Sequence, residues 1–477
     1  MDREIRASDL RPTRTDIFTL PEEWKPSFPA DTILYRLQEQ TKTLLRHPYD
    51  ASQWIIRAKI LALLGYPELA AGDAIKAMKL CDTVGKIILS RHGEPWRLGR
   101  RGGFLMRDEE GGMGNQLRHF STLMSLISNL EADAREVLDC CTRPVHPSVA
   151  GGLIPQPYPW LDERHRGRSV EVVEEINEDI RRNEAKTPSG EAYIEVKRCV
   201  LQPDDDVESD MASLGIFATC DIEKDTKILV DVTDLFGCNG PGVNNSKANL
   251  HGGEGCLQRD HPNLPGEDAS LSLRWIRDLT GKSASNILLL CRTLLCSIQE
   301  NLPSPLDLPS IARLTPAYHR QTPRIFDLDD HIRIPNDALQ QFGIDIFANH
   351  AYDTWVLFAL RRRLSNNSWS SPIAMALSPI FSLFNHSCEP NCKWKSKRDH
   401  RTMEVRVERD VAKGEQLFVE YDSYAREEDL EGRRDKLKFW IERCMCTRCA
   451  REEGEERAVR QRRVGGEEDD DQDVHVS

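Results

Sequence analysis

The chain has 477 residues, with 64 lysines and arginines, 77 aspartates and glutamates, and a formal net charge of −13 at pH 7. This length predicts two or three folded units, because domains commonly contain about 100–200 residues. The acidic balance argues against general affinity for nucleic-acid phosphates and weakly favours a basic protein partner.

Targeting and membrane signals are missing from the sequence. The opening stretch MDREIRASDLRPTRTDIF contains no apolar core of signal-peptide length. No apolar run reaches the length of a membrane-spanning helix. We therefore expect a soluble intracellular protein in the nucleus, the cytoplasm or both, in which the 14 cysteines form no disulfides.

Helical patterns begin after an N-terminal extension at residues 1–29. The stretch from Trp54 to Ala77 is broken by Gly65 and Pro67. Its small residues are Ala58, Ala70, Ala74 and Ala77. Two short amphipathic helices packed through small side chains would have this pattern, which is similar to a tetratricopeptide (TPR) repeat. One repeat cannot bury its own apolar face, so we expect a domain of several degenerate repeats over residues 30–145, with an unrelated helical bundle as the alternative.

The pattern changes to strands in the second half of the chain. Prolines and glycines around residues 142–162 indicate a linker, which we place at 146–189. YIEVKRCVL, GIFA and TKILVDV are predicted strands, as are MEVRVERDV and QLFVEY later in the chain. EEDLEGRRDKLKFWIER is a predicted amphipathic helix, and residues 453–477 are an acidic tail that we expect to be disordered.

The most specific motif is FSLFNHSCEPNC, from Phe381 to Cys392, with Gly414-Glu415 and Tyr421 downstream. Asn-His-Ser-Cys-x-Pro-Asn followed by Gly-Glu and a tyrosine resembles the second half of the SET domain of protein lysine methyltransferases. A polar turn between two strands is the alternative. The resemblance implies an α+β fold, in which a β-rich SET fold with a pseudoknot and a helical insertion follows the helical repeat domain. It places the SET domain at 190–425, with its insertion at about 235–375, and a zinc-binding post-SET segment at 426–452.

The resemblance also implies S-adenosylmethionine as the methyl donor. Asn385 and His386 match the family's cofactor-binding asparagine and histidine, and Gly215 falls where the family has a Gly-x-Gly turn whose first glycine is Ser213 here. Asn367-Ser368-Trp369 resembles an element of the SET and MYND subfamily in which the asparagine contacts the cofactor. The implied cofactor-binding residues are Gly215, Asn367, Ser382, Leu383, Asn385 and His386.

A CxCxxC cluster follows the predicted amphipathic helix and consists of Cys444, Cys446 and Cys449. Three thiolates supply three positions of a tetrahedral zinc site. In the SET family the fourth ligand is the cysteine of the Asn-His-Ser-Cys motif, here Cys388. The resemblance thus implies a structural Zn²⁺ that clamps the post-SET segment over the cofactor site, while unligated buried cysteines are the alternative.

The insertion lacks the cysteine-rich finger of the SET and MYND subfamily. Its candidate ligands are Cys238, His251, Cys256 and His261. Because their spacing is irregular, we expect a degenerate finger and an ordinary flexible loop rather than a second metal site. The basic run at residues 460–463 is either a nuclear signal or a solvated charge cluster.

Tyr421 matches the family's catalytic tyrosine, whose phenol orients the substrate amine. Two residues depart from the family pattern, because Trp440 replaces a tyrosine and Glu442 replaces an aromatic residue. The leading hypothesis is an S-adenosylmethionine-dependent enzyme that methylates a protein lysine, histone or non-histone. The alternative is a catalytically decayed SET scaffold that binds a partner protein through its TPR-like helices. Neither hypothesis involves direct nucleic-acid binding or a membrane.

Overall fold

The computed structural model describes residues 30–92, 112–142, 152–153, 158–201, 213–233, 235–238, 282–314, 324–371, 374–398, 401–438, 440–441 and 443–456. The helices are α1 (Ala30–Arg46), α2 (Ala51–Leu63), α3 (Pro67–His92), α4 (Gly112–Thr142), α5 (Val170–Arg182), α6 (Lys282–Gln299), α7 (Pro309–Ala312), α8 (Ile334–Gln341), α9 (Thr354–Asn367), α10 (Leu430–Leu437) and α11 (447–456). The strands are β1 (Gly152–Leu153), β2 (Ile194–Cys199), β3 (Ser213–Ala218), β4 (Lys227–Val232), β5 (Phe236–Cys238), β6 (Arg324–Ile325), β7 (Trp369–Ser370), β8 (Ala374–Ala376), β9 (Asn385–His386), β10 (Cys392–Ser396), β11 (Thr402–Val407) and β12 (Gln416–Val419).

The chain forms two compact units. The first unit comprises Met1–Trp160 and Pro323–Phe358, and the second comprises Leu161–Thr322 and Ala359–Ser477. Residues 323–358, which lie inside the expected SET insertion at about 235–375, therefore belong with the N-terminal helices. The described helices do not span a membrane, since none of them combines sufficient length with sufficient apolar character.

The first unit confirms the expected helical region. Asp50 caps the N-terminus of α2 by accepting a hydrogen bond from the Ser52 backbone N–H. Small residues on α2 and α3 are completely buried, which permits close packing of the two helices; they are Ala58, Ala62, Ala70, Ala74 and Ala77. Helix α3 has 26 residues and is therefore longer than the second of the two short helices that the sequence predicts. Whether these helices are TPR repeats stays a prediction.

A buried ion network explains why residues 323–358 join this unit. Arg57 donates to Asp73 at 2.6 Å and 2.8 Å and to Asp353 at 2.9 Å, and Lys76 donates to Asp353 at 2.9 Å. Burial acts to raise the pKa of Asp353, but the charges of Arg57 and Lys76 outweigh it and hold that pKa well below its usual range. Because each buried charge requires its partners, the network ties Asp353 to α2 and α3.

The second unit contains the larger sheets and confirms the expected α+β fold. One sheet has the strand order β2-β3-β12-β9, a second β10-β11-β4 and a third β5-β8-β7. The pairs β2–β3 and β3–β12 are antiparallel, whereas β12 and β9 run parallel. Buried side chains of the first two sheets share one core, which includes Ile194, Ile216, Leu229, Val405, Leu417 and Val419. Strand β12 thus lies between two segments that come earlier in the chain.

Candidate active site and metal centre

Four cysteine sulfurs come together in the second unit. Cys388 follows β9, and Cys444, Cys446 and Cys449 lie between α10 and the first turn of α11. Their Sγ atoms all lie within 4.8 Å of one another, and Cys388 Sγ is 3.6 Å from Cys449 Sγ and 4.0 Å from Cys444 Sγ. Zn–S bonds of about 2.3 Å in a tetrahedron require S···S separations of about 3.8 Å. The cluster therefore fits the four-thiolate zinc site implied by the sequence.

The four sulfurs differ in how readily they ionise, because the hydrogen bonds among them raise the pKa of Cys388 and lower the pKa of Cys446 and Cys449. Apolar side chains of Leu430, Leu437 and Trp440 pack around the cluster. The hydrogen bond to Cys388 is the largest factor lowering the pKa of Cys449, to about 7, and Arg433 acts in the same direction. Because the thiolate is the metal-binding species, the environment of Cys449 suits a metal ligand.

His386 bridges the cysteine cluster and the end of β12. Its Nδ1 accepts a hydrogen bond from the Tyr421 backbone N–H at 3.1 Å, so the neutral ring carries its proton on Nε2. Nε2 lies 3.3 Å from Cys388 Sγ and donates to it in that tautomer. Burial lowers the pKa of His386 to about 4, which keeps the ring neutral at pH 7. One imidazole thereby joins the metal centre to the candidate catalytic residue.

Gly215 and Asn385 meet beside the sulfur of Cys199. Asn385 Nδ2 donates to the Leu214 carbonyl at 2.8 Å and lies 3.7 Å from Cys199 Sγ. A Cβ added at Gly215 would lie 3.2 Å from Asn385 Nδ2, 3.1 Å from Cys199 Sγ and 2.4 Å from Gln416 Nε2. The absent side chain thus leaves room for three converging polar groups, and the structure brings these two predicted site residues together.

The expected turn at Ser213–Gly215 is wrong, because these residues form the first half of β3. They pair with Lys197, Arg198 and Cys199 of β2 in regular antiparallel register. Among the described residues, positive φ angles occur at Gly65, Gly190, Asp225, Asn301, Gly343 and Gly414. Serine in place of the family's first glycine therefore costs no backbone strain.

Tyr421 lies between His386 and the segment before the cysteine cluster. Its phenol donates to the Phe384 carbonyl at 2.8 Å. The Tyr421 ring centroid is 5.3 Å from that of His386 and 6.5 Å from that of Trp440, with the latter pair edge to face. Burial of the phenol raises the pKa of Tyr421 well above its usual value, so the group stays neutral at pH 7. Its oxygen retains lone pairs that can accept a further hydrogen bond.

Two residues outside the predicted set hold β12 in place. The buried Asn391 donates to the Gln416 carbonyl at 2.9 Å and accepts from the Phe418 N–H at 2.8 Å. Trp394 Nε1 donates to the Glu420 carbonyl at 2.8 Å. Asn391 is the last residue of the Asn-His-Ser-Cys-x-Pro-Asn motif, and this position was the available signal for its role.

Asp231 is a third residue that sequence reasoning missed. This carboxylate at the end of β4 accepts hydrogen bonds from the backbone N–H groups of Ile380 and Phe381, both at 2.8 Å. It thereby positions the 3₁₀ turn that carries Ser382 and Leu383. Burial raises the pKa of Asp231 to about 6. The signal was an acidic residue inside an otherwise apolar strand.

The described contacts of two other predicted site residues are local. Asn367 ends α9, where its Nδ2 donates to the Arg363 carbonyl at 2.8 Å. Ser382 Oγ donates to the Pro379 carbonyl at 3.3 Å. Their part in cofactor binding stays a prediction. Several other residues singled out from the sequence lie outside the described part of the chain: His251, Cys256, His261, Glu442 and 460–463.

Comparison with known families decides what this site belongs to. Residues 213–422 match the family model described as the SET domain. This segment is a SET domain. Strands β3, β9 and β12 of the candidate site lie within the matched range, whereas β2 precedes it and the cysteine trio at 444–449 follows it.

The chain has curated relatives in one fungus and one amoeba. Over 73 residues the chain is 45% identical to "Histone-lysine N-methyltransferase SET5" of Yarrowia lipolytica. Over 78 residues it is 42% and 37% identical to two SET and MYND domain-containing proteins of Dictyostelium discoideum. These matches cover 15% or 16% of this chain and 16%, 18% and 19% of the respective relatives, less than a fifth of each.

Among solved structures, one similar chain is described as the "SET domain of LSMT bound to Lysine and AdoHcy". The alignment has a TM-score of 0.24 and 14% sequence identity, and covers 53% of this chain and 54% of that chain.

Proposed function

We propose that this protein is an S-adenosylmethionine-dependent methyltransferase that modifies the side-chain amine of a protein lysine. One observation carries the proposal. Within the SET domain, Tyr421 contacts His386, whose other ring nitrogen faces Cys388 of the four-cysteine cluster. The residues that the family uses for catalysis, cofactor binding and metal binding thus form one connected arrangement. The similarity to a relative that is named a histone-lysine N-methyltransferase supports the reaction class.

The first task of such a site is to keep the substrate amine unprotonated. A lysine with a pKa near 10.4 holds its proton at pH 7, and the free base costs about 4–5 kcal/mol. In the proposed enzyme, the partly buried Tyr421 ring and the Trp440 ring packed beside it would shield the amine from water and so disfavour the ammonium form.

The second task is to orient the amine. Because the Tyr421 phenol donates its own proton to the Phe384 carbonyl, its oxygen accepts a hydrogen bond from a substrate N–H. S-adenosylmethionine supplies an already activated methyl group when it is bound. Asn385, held against the Leu214 carbonyl, presents its side-chain oxygen for the cofactor's polar end. Precise positioning of reactants contributes up to about 7–11 kcal/mol to catalysis.

Zinc has a structural part in this proposal. Cys388, Cys444, Cys446 and Cys449 would hold it, which anchors the segment after the SET domain to the loop after β9. No residue of the proposed chemical step depends on the metal directly. Its effect reaches Tyr421 through the hydrogen bonds of His386.

Binding and turnover distinguish this proposal from the alternative of a decayed scaffold. Titration calorimetry on the zinc-loaded full chain should show S-adenosylmethionine binding, and cell extract with labelled cofactor should yield a labelled protein. Tyr421→Phe should retain binding and lose about 100-fold in transfer rate, because small positioning errors have effects of this size. Tyr424→Phe is the matched control, since that tyrosine is 80% exposed. A folded, zinc-loaded protein that binds no cofactor would favour the scaffold.

A further inference from the structure

Arg433 on α10 is a fully buried arginine beside the cysteine cluster, and only 1% of it is exposed. Its NH1 donates to the Glu428 carbonyl at 2.8 Å. Its NH2 donates to Cys449 Sγ at 3.6 Å and to a carboxylate oxygen of Glu452. One guanidinium therefore reaches both the cysteine and the acidic residue that α11 presents on the same side.

The charge balance around this arginine depends on the state of the sulfurs. A buried cation is costly unless anions face it. With four protonated thiols, the anionic partner described for Arg433 is Glu452, whose side chain is 27% exposed. A divalent zinc with four thiolates instead carries a net charge of −2, which the buried guanidinium directly opposes.

We propose that Arg433 is a positioning residue of the metal centre, whose guanidinium donates to the zinc-bound thiolate of Cys449 and supplies the counter-charge of the four-thiolate cluster. The inference rests on the proposed zinc site. It assigns α10 a role beyond covering the cluster, because partners that hydrogen-bond to metal ligands tune metal affinity. The alternative is a tether, in which Arg433 merely joins α10 to α11 through Glu452.

Arg434 offers a matched control for the test. It is the next residue on α10 and pairs with Glu453 of α11 at 3.1 Å, so it joins the same two helices. The structure describes no contact between Arg434 and a cysteine sulfur. Arg434→Met therefore removes a comparable tether and leaves the hydrogen bond to Cys449 in place.

Zinc affinity is measured on the full chain by competition with a chromophoric chelator. We expect Arg433→Met to lower the affinity 10–100-fold, the usual effect of losing such a partner, and Arg434→Met to change it less than threefold. With Co²⁺ in place of zinc, the thiolate charge-transfer band of Arg433→Met should move to longer wavelength, since a thiolate without a hydrogen bond donates charge more readily. Equal affinities of the two variants, or an unmoved band, would overturn the proposal.

Glu452→Gln provides a second test that can still be made if the Arg433→Met variant does not fold. It removes the competing anion at a partly exposed position, so affinity for zinc should stay level or rise if Arg433 serves the cluster. A tenfold fall would identify the pair as a tether and reject the role. Failure of the wild-type chain to bind zinc would reject the metal centre as well, whereas zinc binding that is insensitive to Arg433 would reject only this inference.

Discussion

At the residue scale, the site depends on polar groups whose partners dictate their protonation state. The backbone N–H of Tyr421 directs the His386 proton to Nε2, and the Phe384 carbonyl holds the Tyr421 proton in place. Neither group needs to change its protonation state near neutral pH, because burial lowers the pKa of His386 and raises that of Tyr421. The proposed reaction therefore requires neither of these two side chains to gain or lose a proton near neutral pH.

Asp231 gives a prediction about pH. Burial raises its pKa from 3.8 to about 6 in the folded protein, so the ionised form costs about 3 kcal/mol that is absent below pH 4 and complete above pH 6. Asp231→Asn keeps an acceptor for the two backbone N–H groups but never ionises. Relative to wild type, this variant should gain stability as pH rises from 4 to 8, measured by melting temperature across that range. A difference between the two proteins that does not vary with pH would refute the assignment.

At the element scale, β12 decides whether the predicted site residues meet. It pairs with β3, which carries Gly215, and with β9, which carries Asn385 and His386. Backbone groups of Gln416, Phe418 and the following Glu420 are bound by the side chains of Asn391 and Trp394 rather than by another strand. A short strand held by side chains in this way is sensitive to their loss.

Asn391→Ala should therefore destabilise the protein by about 2–4 kcal/mol, because two buried backbone groups lose their partners. It should also weaken cofactor binding under the proposed function, since β12 leads to Tyr421. Asn177→Ala is the control: its amide likewise donates to and accepts from the backbone, at Val196 of β2, away from β12. Denaturant unfolding and calorimetric titration of both variants check this. Equal effects on cofactor binding would show that β12 has no special part.

At the scale of the whole molecule, each of the two units is built from two separate segments of the chain. Residues 323–358 interrupt the second unit in sequence and complete the first. The ion network around Asp353 accounts for this assignment, since its carboxylate forms ion pairs with the buried side chains of Arg57 and Lys76.

Asp353→Asn should destabilise the protein by about 3–5 kcal/mol, because it leaves Arg57 and Lys76 buried without that charge. Asp82→Asn should change the stability by less than about 0.5 kcal/mol, because its ion pair with Lys86 lies at the surface. Since the pKa of Asp353 is depressed, its contribution is present above pH 4 and is lost as pH falls towards its folded pKa. Urea unfolding at pH 7 and at pH 3 tests both statements; similar losses for the two variants at pH 7 would contradict the first.

Local patterns in the sequence were enough to predict the helical N-terminal region, five of the twelve described strands, and the motif from Asn385 to Asn391. Such patterns depend on neighbours within a few residues, so they can be recognised from the sequence alone. They misjudged Ser213, whose conformation is imposed by pairing with β2 rather than by local preference. The extent of α3 was likewise underestimated.

The sequence by itself determined the inventory of this protein: a SET motif, a cysteine trio and a tyrosine after a Gly-Glu pair. The family resemblance had already implied that Cys388 joins this trio, more than fifty residues away. Tertiary structure alone decided that Asp353 pairs with Arg57 and that Arg433 is buried against Cys449. Electrostatic attraction acts through space between residues that are far apart in the chain. The local sequence around each residue therefore does not show which partner the fold places beside it.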